Sequence, residues 1–240
     1  MRVTVCLFAV AALSLLSGCS SSGDESAPAT PVHFQQRAVP NQAIALSVDG
    51  SIGVDVSLSG TSDEVVRLDA TQIRGASGLR LTQRSSPSWL VLRLDPRTHA
   101  RPLRWLFGGD DEAKIYLSVP SEATVSVDAV NGPVRSDGVR GPLAVRIVNG
   151  PIEINGAGSV LSLRVVNGPI DANVSDTSRT PNIDINGTNG SIDVVVPKDF
   201  HAMVEAHTLV GPLVQDVGDS QGPGTVTVHL VAGPVTIEEH

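Results

Sequence analysis

The tripeptide Asn-Gly-Pro recurs in the C-terminal half of this 240-residue chain, and the recurrence constrains its architecture more than any other feature. It stands in Val130-Asn131-Gly132-Pro133-Val134, Val148-Asn149-Gly150-Pro151-Ile152 and Val166-Asn167-Gly168-Pro169-Ile170, with steps of 18 residues from Asn to Asn. A looser copy, Asn189-Gly190-Ser191-Ile192, follows 22 residues later, and Gly211-Pro212-Leu213 and Gly233-Pro234-Val235 continue the series. A period near 20 residues denotes stacked supersecondary units rather than one globular layer.

The motif also says which kind of unit. Asn-Gly ordinarily marks a two-residue hairpin, closed by the N–H of the residue after Gly. In the strict copies that residue is proline, which has no N–H. An open corner remains, with Gly or Asn supplying positive φ and Pro opening a new strand. Corners at a fixed stride fit a parallel β-solenoid. The rival, an antiparallel sandwich, also has many short strands but needs no 18-residue self-similarity.

Alternation gives the facing. Val134, Ile152, Ile170, Ile192, Leu213 and Val235 follow the corners in one phase and are expected to stack inward. Arg135, Glu153, Asp171 and Asp193 then point outward, and Ser136, Ile154, Ala172 and Val194 return inward. A second strand precedes each corner, as in Leu143 to Ile147 and Leu161 to Val165, with Arg146 and Arg164 outward. Asn131, Asn149, Asn167 and Asn189 share a phase that suits an internal amide ladder. Asp49-Gly50-Ser51-Ile52 resembles the Asn189 corner and reads as an earlier unit of the same stack. No stretch has helical periodicity.

The first residues belong to a different argument. Arg2 precedes an apolar run from Val3 to Leu16 that ends in Leu16-Ser17-Gly18-Cys19. This string resembles the bacterial lipobox, in which the signal is cut before Cys and the thiol takes palmitate-type acyl chains. Cys19 is the expected lipidation site, and Ser20 after it resembles an outer-membrane sorting signal. Residues 1–18 then form a signal peptide and residues 19–31, rich in Ser, Ala and Pro, the lipidated Cys and a flexible tether. Cys6 leaves with the signal, so the mature chain has no disulfide. The formal charge of −8 becomes −9 once Arg2 is removed, and only Lys114 and Lys198 are lysines, which argues against nucleic acid as a partner.

Between Asp95 and Glu112 the strand pattern breaks. Arg97, Arg101 and Arg104 precede Trp105-Leu106-Phe107. Exposed aromatics beside arginine mark interfaces. Arg101, Arg104, Trp105 and Phe107 are therefore candidate partner contacts, or else they cap an open end of the stack. The charges of Ile237-Glu238-Glu239-His240 suit a guarded edge strand.

Taken together, a lipobox, a tether, an irregular strand-rich half, Val119-Pro120 closing a strand, and repeated corners resemble the bacterial "putative adhesin" family of β-solenoid lipoproteins. The resemblance spans about residues 32 to 237. It implies an all-β domain over residues 32–240: a single right-handed parallel β-solenoid with an irregular N-terminal half, the hand following from crossover chirality. It implies a protein anchored in the bacterial envelope, at the outer membrane and facing the periplasm, that binds an envelope protein or glycan and is not an enzyme.

No catalytic residue, metal ligand or cofactor site is expected. Glu153, Asp171 and Asp193 recur in phase about 4.8 Å apart, which suits either a solvated face or a cation or polysaccharide-processing site. A carbohydrate-active β-helix enzyme is thus the alternative. Against it, no Gly-x-Ser-x-Gly elbow, phosphate loop or zinc spacing is present, and His201, His207 and His229 are scattered.

Overall fold

The structure is a computed structural model that describes residues 31–75, 78–97, 111–158, 160–175, 180–198, 200–217 and 222–240. Every regular element in it is a strand. In chain order these are β1 (Val32–Arg37), β2 (Ala43–Val48), β3 (Gly53–Thr61), β4 (Val65–Arg74), β5 (Leu79–Ser85), β6 (Trp89–Pro96), β7 (Glu112–Pro120), β8 (Val125–Asp128), β9 (Val134–Asp137) and β10 (Leu143–Asn149). They continue as β11 (Ile152–Ala157), β12 (Val160–Asn167), β13 (Ile170–Val174), β14 (Asn182–Asn189), β15 (Ile192–Val196), β16 (Ala202–Val210), β17 (Leu213–Asp216), β18 (Gly224–Ala232) and β19 (Val235–Glu239). Two sheets result, ordered β1-β4-β7-β3-β9-β11-β13-β15-β19-β17 and β16-β18-β14-β12-β10-β8-β2-β6-β5.

Period-2 alternation makes each strand and also the core. Leu143, Val145 and Ile147 of β10 and Ile152 and Ile154 of β11 are buried, with Ala144, Arg146 and Glu153 between them on the outer side. Successive strand pairs β8/β9, β10/β11, β12/β13 and β14/β15 each give one strand to each sheet, in parallel register with the next pair. Val134, Ile152, Ile170 and Ile192 therefore form one inward ladder, each 0% exposed. Fully burying a branched aliphatic side chain contributes about 1.5–3 kcal/mol, and the ladders of both sheets join in one continuous core.

The corners work without a hairpin bond. Their N–H groups reach the neighbouring unit instead: Gly132 donates to Asn149 O, Gly150 to Asn167 O and Gly168 to Asn189 O, at 2.8–2.9 Å. The prolines still accept, from Val134 N to Pro151 O and from Ile152 N to Pro169 O. Gly168 has φ +147° and an added Cβ would lie 2.1 Å from the Gly150 carbonyl oxygen, so both conformation and space demand glycine there. The asparagines do form a ladder: Asn149 Nδ2 donates to Asn131 Oδ1, Asn167 to Asn149 and Asn189 to Asn167, at 2.9–3.0 Å. It lies on the surface rather than inside, because the Asn side chains project outward from the corner.

Three expectations need correction. The stack is not parallel throughout: β1 with β4, β4 with β7, and β5 with β6 are antiparallel, so both sheets are mixed. The irregular N-terminal half contains the chain reversals. The order along the stack is also not the order in sequence. β18 and β19 lie between β14/β15 and β16/β17, so β17 is an edge and Leu213 is 43% exposed rather than stacked inside. For the same reason the charged C-terminal strand β19 is interior and needs no edge protection. Side-chain size accounts for the exchange. The inward residues of β18 and β19 are Val226, Val228, Leu230, Val235 and Ile237, whereas β16 and β17 offer Ala202, Val204, Ala206, Leu213 and Gln215. The bulkier pair gains more by being covered on both sides.

Candidate functional site

The most built surface lies on the outer face of the nine-stranded sheet. Register places Arg146, Arg164, Asn186, His229 and His207 side by side on β10, β12, β14, β18 and β16. One outward step further along the same strands stand Val148, Val166, Thr188, Val231 and Leu209. Together the two rows line a groove of about 820 Å³. One wall is apolar, with Val148, Val166, Val231 and Leu209 all exposed. The other carries hydrogen-bonding groups, with the imidazoles of His207 and His229 stacked 5.4 Å apart and nearly parallel.

The charges of the polar row are partly answered. Arg146 stands 3.9 Å from Asp128 and Arg164 3.6 Å from Asp184. Asn186 donates to Asp184 at 2.6 Å, and His207 meets Glu205 at 3.1 Å. These pairs are more than a third exposed, so each adds little to stability. The guanidinium N–H groups keep donors for a ligand, since each Arg has five and these contacts use few. The groove can therefore hold an extended chain with apolar groups along one edge and acceptors along the other. The histidines that looked scattered in the sequence are register partners, and their 22-residue spacing equals that of Gly211 and Gly233. Sequence reasoning missed the row of Val148 and Val166, although their recurrence before two Asn-Gly-Pro corners in an outward phase was the available signal.

The acidic ladder lies on the other sheet. Glu153, Asp171 and Asp193 are consecutive register partners on β11, β13 and β15, as the repeat predicts. Arg135 of β9 clamps its near end, donating to Glu153 Oε2 at 3.0 Å and to Asp55 Oδ1 at 2.9 Å. Asp171 has acids on both sides. Partial burial, then Asp193 and Glu153, raise its pKa above the usual carboxylate value. Among the described residues no three His, Cys, Asp or Glu side chains are grouped to hold a metal ion. A groove of about 620 Å³ reaches Arg135 and Glu153 but does not include Asp171 or Asp193. The acids are thus strung along a face rather than set around a cleft, which is poor geometry for paired acid and base work on a sugar.

Cys19 and the Arg101, Arg104, Trp105 and Phe107 cluster lie outside the described residues. Asp95 and Pro96 still belong to β6 and Glu112 opens β7. No helix among the described residues is long and apolar enough to cross a membrane.

No family profile and no curated protein matches this chain. Solved structures do. One, described as a putative cell adhesion protein from Clostridium sporogenes, has a TM-score of 0.53 at 12% identity, covering 88% of this chain and 100% of that one. A putative adhesin from Bacteroides fragilis covers 88% of this chain and 97% of its own at 11% identity, with a TM-score of 0.31. The likeness to the clostridial protein establishes a shared all-β fold over most of the chain.

Proposed function

We propose that this chain is a non-enzymatic binding or scaffolding module of the bacterial envelope, held at the outer membrane by acyl chains on Cys19 and facing the periplasm. Residues 1–18 serve as the signal, 19–31 as the tether, and 32–240 as one adhesin-like domain whose strand pairs wind as a right-handed solenoid, the hand that crossover connections favour. The observation that carries the reading is the amphipathic groove over β10, β12, β14, β18 and β16. It offers length, an apolar wall and fixed donors, and it holds no nucleophile paired to a base. Its ligand is an extended segment of an envelope protein or glycan. Arg101, Arg104, Trp105 and Phe107 supply a second contact.

A photo-crosslinking residue at Val166, compared with one at Asp193 on the opposite sheet, tests the groove in the native host. Capture of one partner from Val166 alone, reduced by Arg146→Ala with Arg164→Ala, is expected. Equal capture from both faces would refute the assignment. Trp105→Ala is expected to weaken the same capture without lowering the melting temperature. Cys19→Ala is expected to leave the protein uncleaved or released from membranes, and an unacylated wild-type protein by mass spectrometry would remove the anchor. Depolymerisation of an envelope glycan that is lost in Asp171→Asn would replace the binding reading with an enzymatic one.

A further inference from the structure

The two ends of the stack are built differently. At one end the outer strand β5 carries Arg80 and Arg84, and β1 carries His33 and Arg37. Such charges guard an edge against further pairing. At the other end the outer strands are β16 and β17, and β16 has nine residues with no Lys, Arg or Pro and no break in register. Met203 and Val210 are 64% exposed there and Leu209 79%, with Val214 also exposed on β17. Val204 and Ala206, which face inward, are only half-buried on this outermost strand.

The outer edge of β16, which pairs with no strand among the described residues, has a definite polarity. Val210 O accepts from the N–H of Gly233, in the corner that follows β18. Main-chain groups alternate along a strand, so those of Met203, Glu205, His207 and Leu209 face away from β18. The strand is also self-complementary. If it meets a copy of itself antiparallel with Ala206 opposite Ala206, then Glu205 falls opposite His207, Met203 opposite Leu209 and Val204 opposite Thr208. In that register the residues whose N–H and C=O groups face outward are opposite one another, as an antiparallel hydrogen-bonded pair requires. A register shifted by two residues would lose the Glu–His match and the Met–Leu match together.

We propose that the β16/β17 end binds a second copy of this chain about a two-fold axis, β16 pairing antiparallel with β16 of its partner. The occupant follows from the sequence of the edge itself. An isologous contact needs a patch that complements itself, and cross-strand pairs of opposite charge and of apolar groups stabilise such a ladder. Because His207 and Leu209 also line the outer-face groove, the dimer would join two grooves into one continuous face. The dimer does not depend on the groove's ligand.

The test uses the purified full chain in detergent. Analytical ultracentrifugation should give a dimer for wild type. Met203→Lys with Leu209→Lys sets lysines opposite each other at both ends of the β16 pair and should raise the dimer dissociation constant at least about tenfold. Both positions are exposed, so the far-ultraviolet circular dichroism and melting profile of the monomer should be retained. Ala206→Cys should link the two copies under mild oxidation, through a disulfide between the introduced thiols, since that position is symmetric about the axis. Mass spectrometry of the linked peptide assigns the bond. A monomeric wild type, including one whose end is covered by its own residues 19–30, would overturn the proposal. So would a dimer that survives the double lysine variant, or an Ala206→Cys variant that forms no link between copies through the new thiol.

Discussion

Ile170→Ala with Asp171→Ala is the sharpest test of the core register, because adjacent residues on one strand face opposite ways. Ile170 is 0% exposed and is sandwiched between Ile152 and Ile192, both also 0% exposed. Truncation removes roughly three CH₂ equivalents at about 0.8 kcal/mol each, a transfer loss near 2.4 kcal/mol. A cavity term adds to this to the extent that the site cannot collapse. Here it is held open, since the flanking backbones are fixed by Ile170 N to Ser191 O at 2.8 Å and Ile152 N to Pro169 O at 2.9 Å. The expected cost is therefore about 3–4.5 kcal/mol. Asp171 is exposed and flanked by two acids, so its truncation should change stability by less than about 0.5 kcal/mol. Urea denaturation followed by circular dichroism measures both. Equal effects, or an Ile170→Ala cost under about 1 kcal/mol, would refute the inward ladder.

Gly168→Ala should destabilise by about 2–4 kcal/mol in the same assay, combining backbone strain at φ +147° with the clash on Gly150 O; a neutral result would mean the corner relaxes freely. Ser136, buried between Leu58 and Ile154 with a hydroxyl that has no hydrogen-bond partner, should tolerate Ser136→Ala with no loss and a gain of up to about 1 kcal/mol. Asp171→Asn concerns pH. The folded state holds the Asp171 proton more tightly than the unfolded chain, so wild-type stability declines as pH rises through and above the ordinary carboxylate range. The variant lacks this decline, and its denaturation midpoint should match wild type at low pH and exceed it near neutrality; a variant less stable at pH 7 would refute the like-charge account.

Much of the fold was legible because it is locally determined. The missing N–H of proline ruled out hairpins at the corners, and the pleat fixed which residue of each pair faces in. The Asn ladder, the acidic ladder and the Ile152-Ile170-Ile192 ladder all follow from in-phase repetition. The amphipathic groove was not read from the sequence. Val148 and Val166 repeat in an outward phase, but the full surface and its His207–His229 stack need β16 and β18 to be neighbours.

The sequence by itself therefore determined the unit: an open corner between two alternating strands, repeated at a stride that lets identical residues fall in line. Only the tertiary structure decided which unit lies beside which. Parallel backbone pairing accepts any strand of suitable length, so local pattern does not distinguish β18/β19 from β16/β17 as the neighbour of β14/β15. The choice rests on total burial, which favours covering Val226, Val228, Leu230 and Ile237 on both sides and leaving the smaller Ala202, Val204 and Ala206 at the end. The same non-local balance reversed β4 and β5 in the mixed half, and among the described residues it left β16 at an open edge.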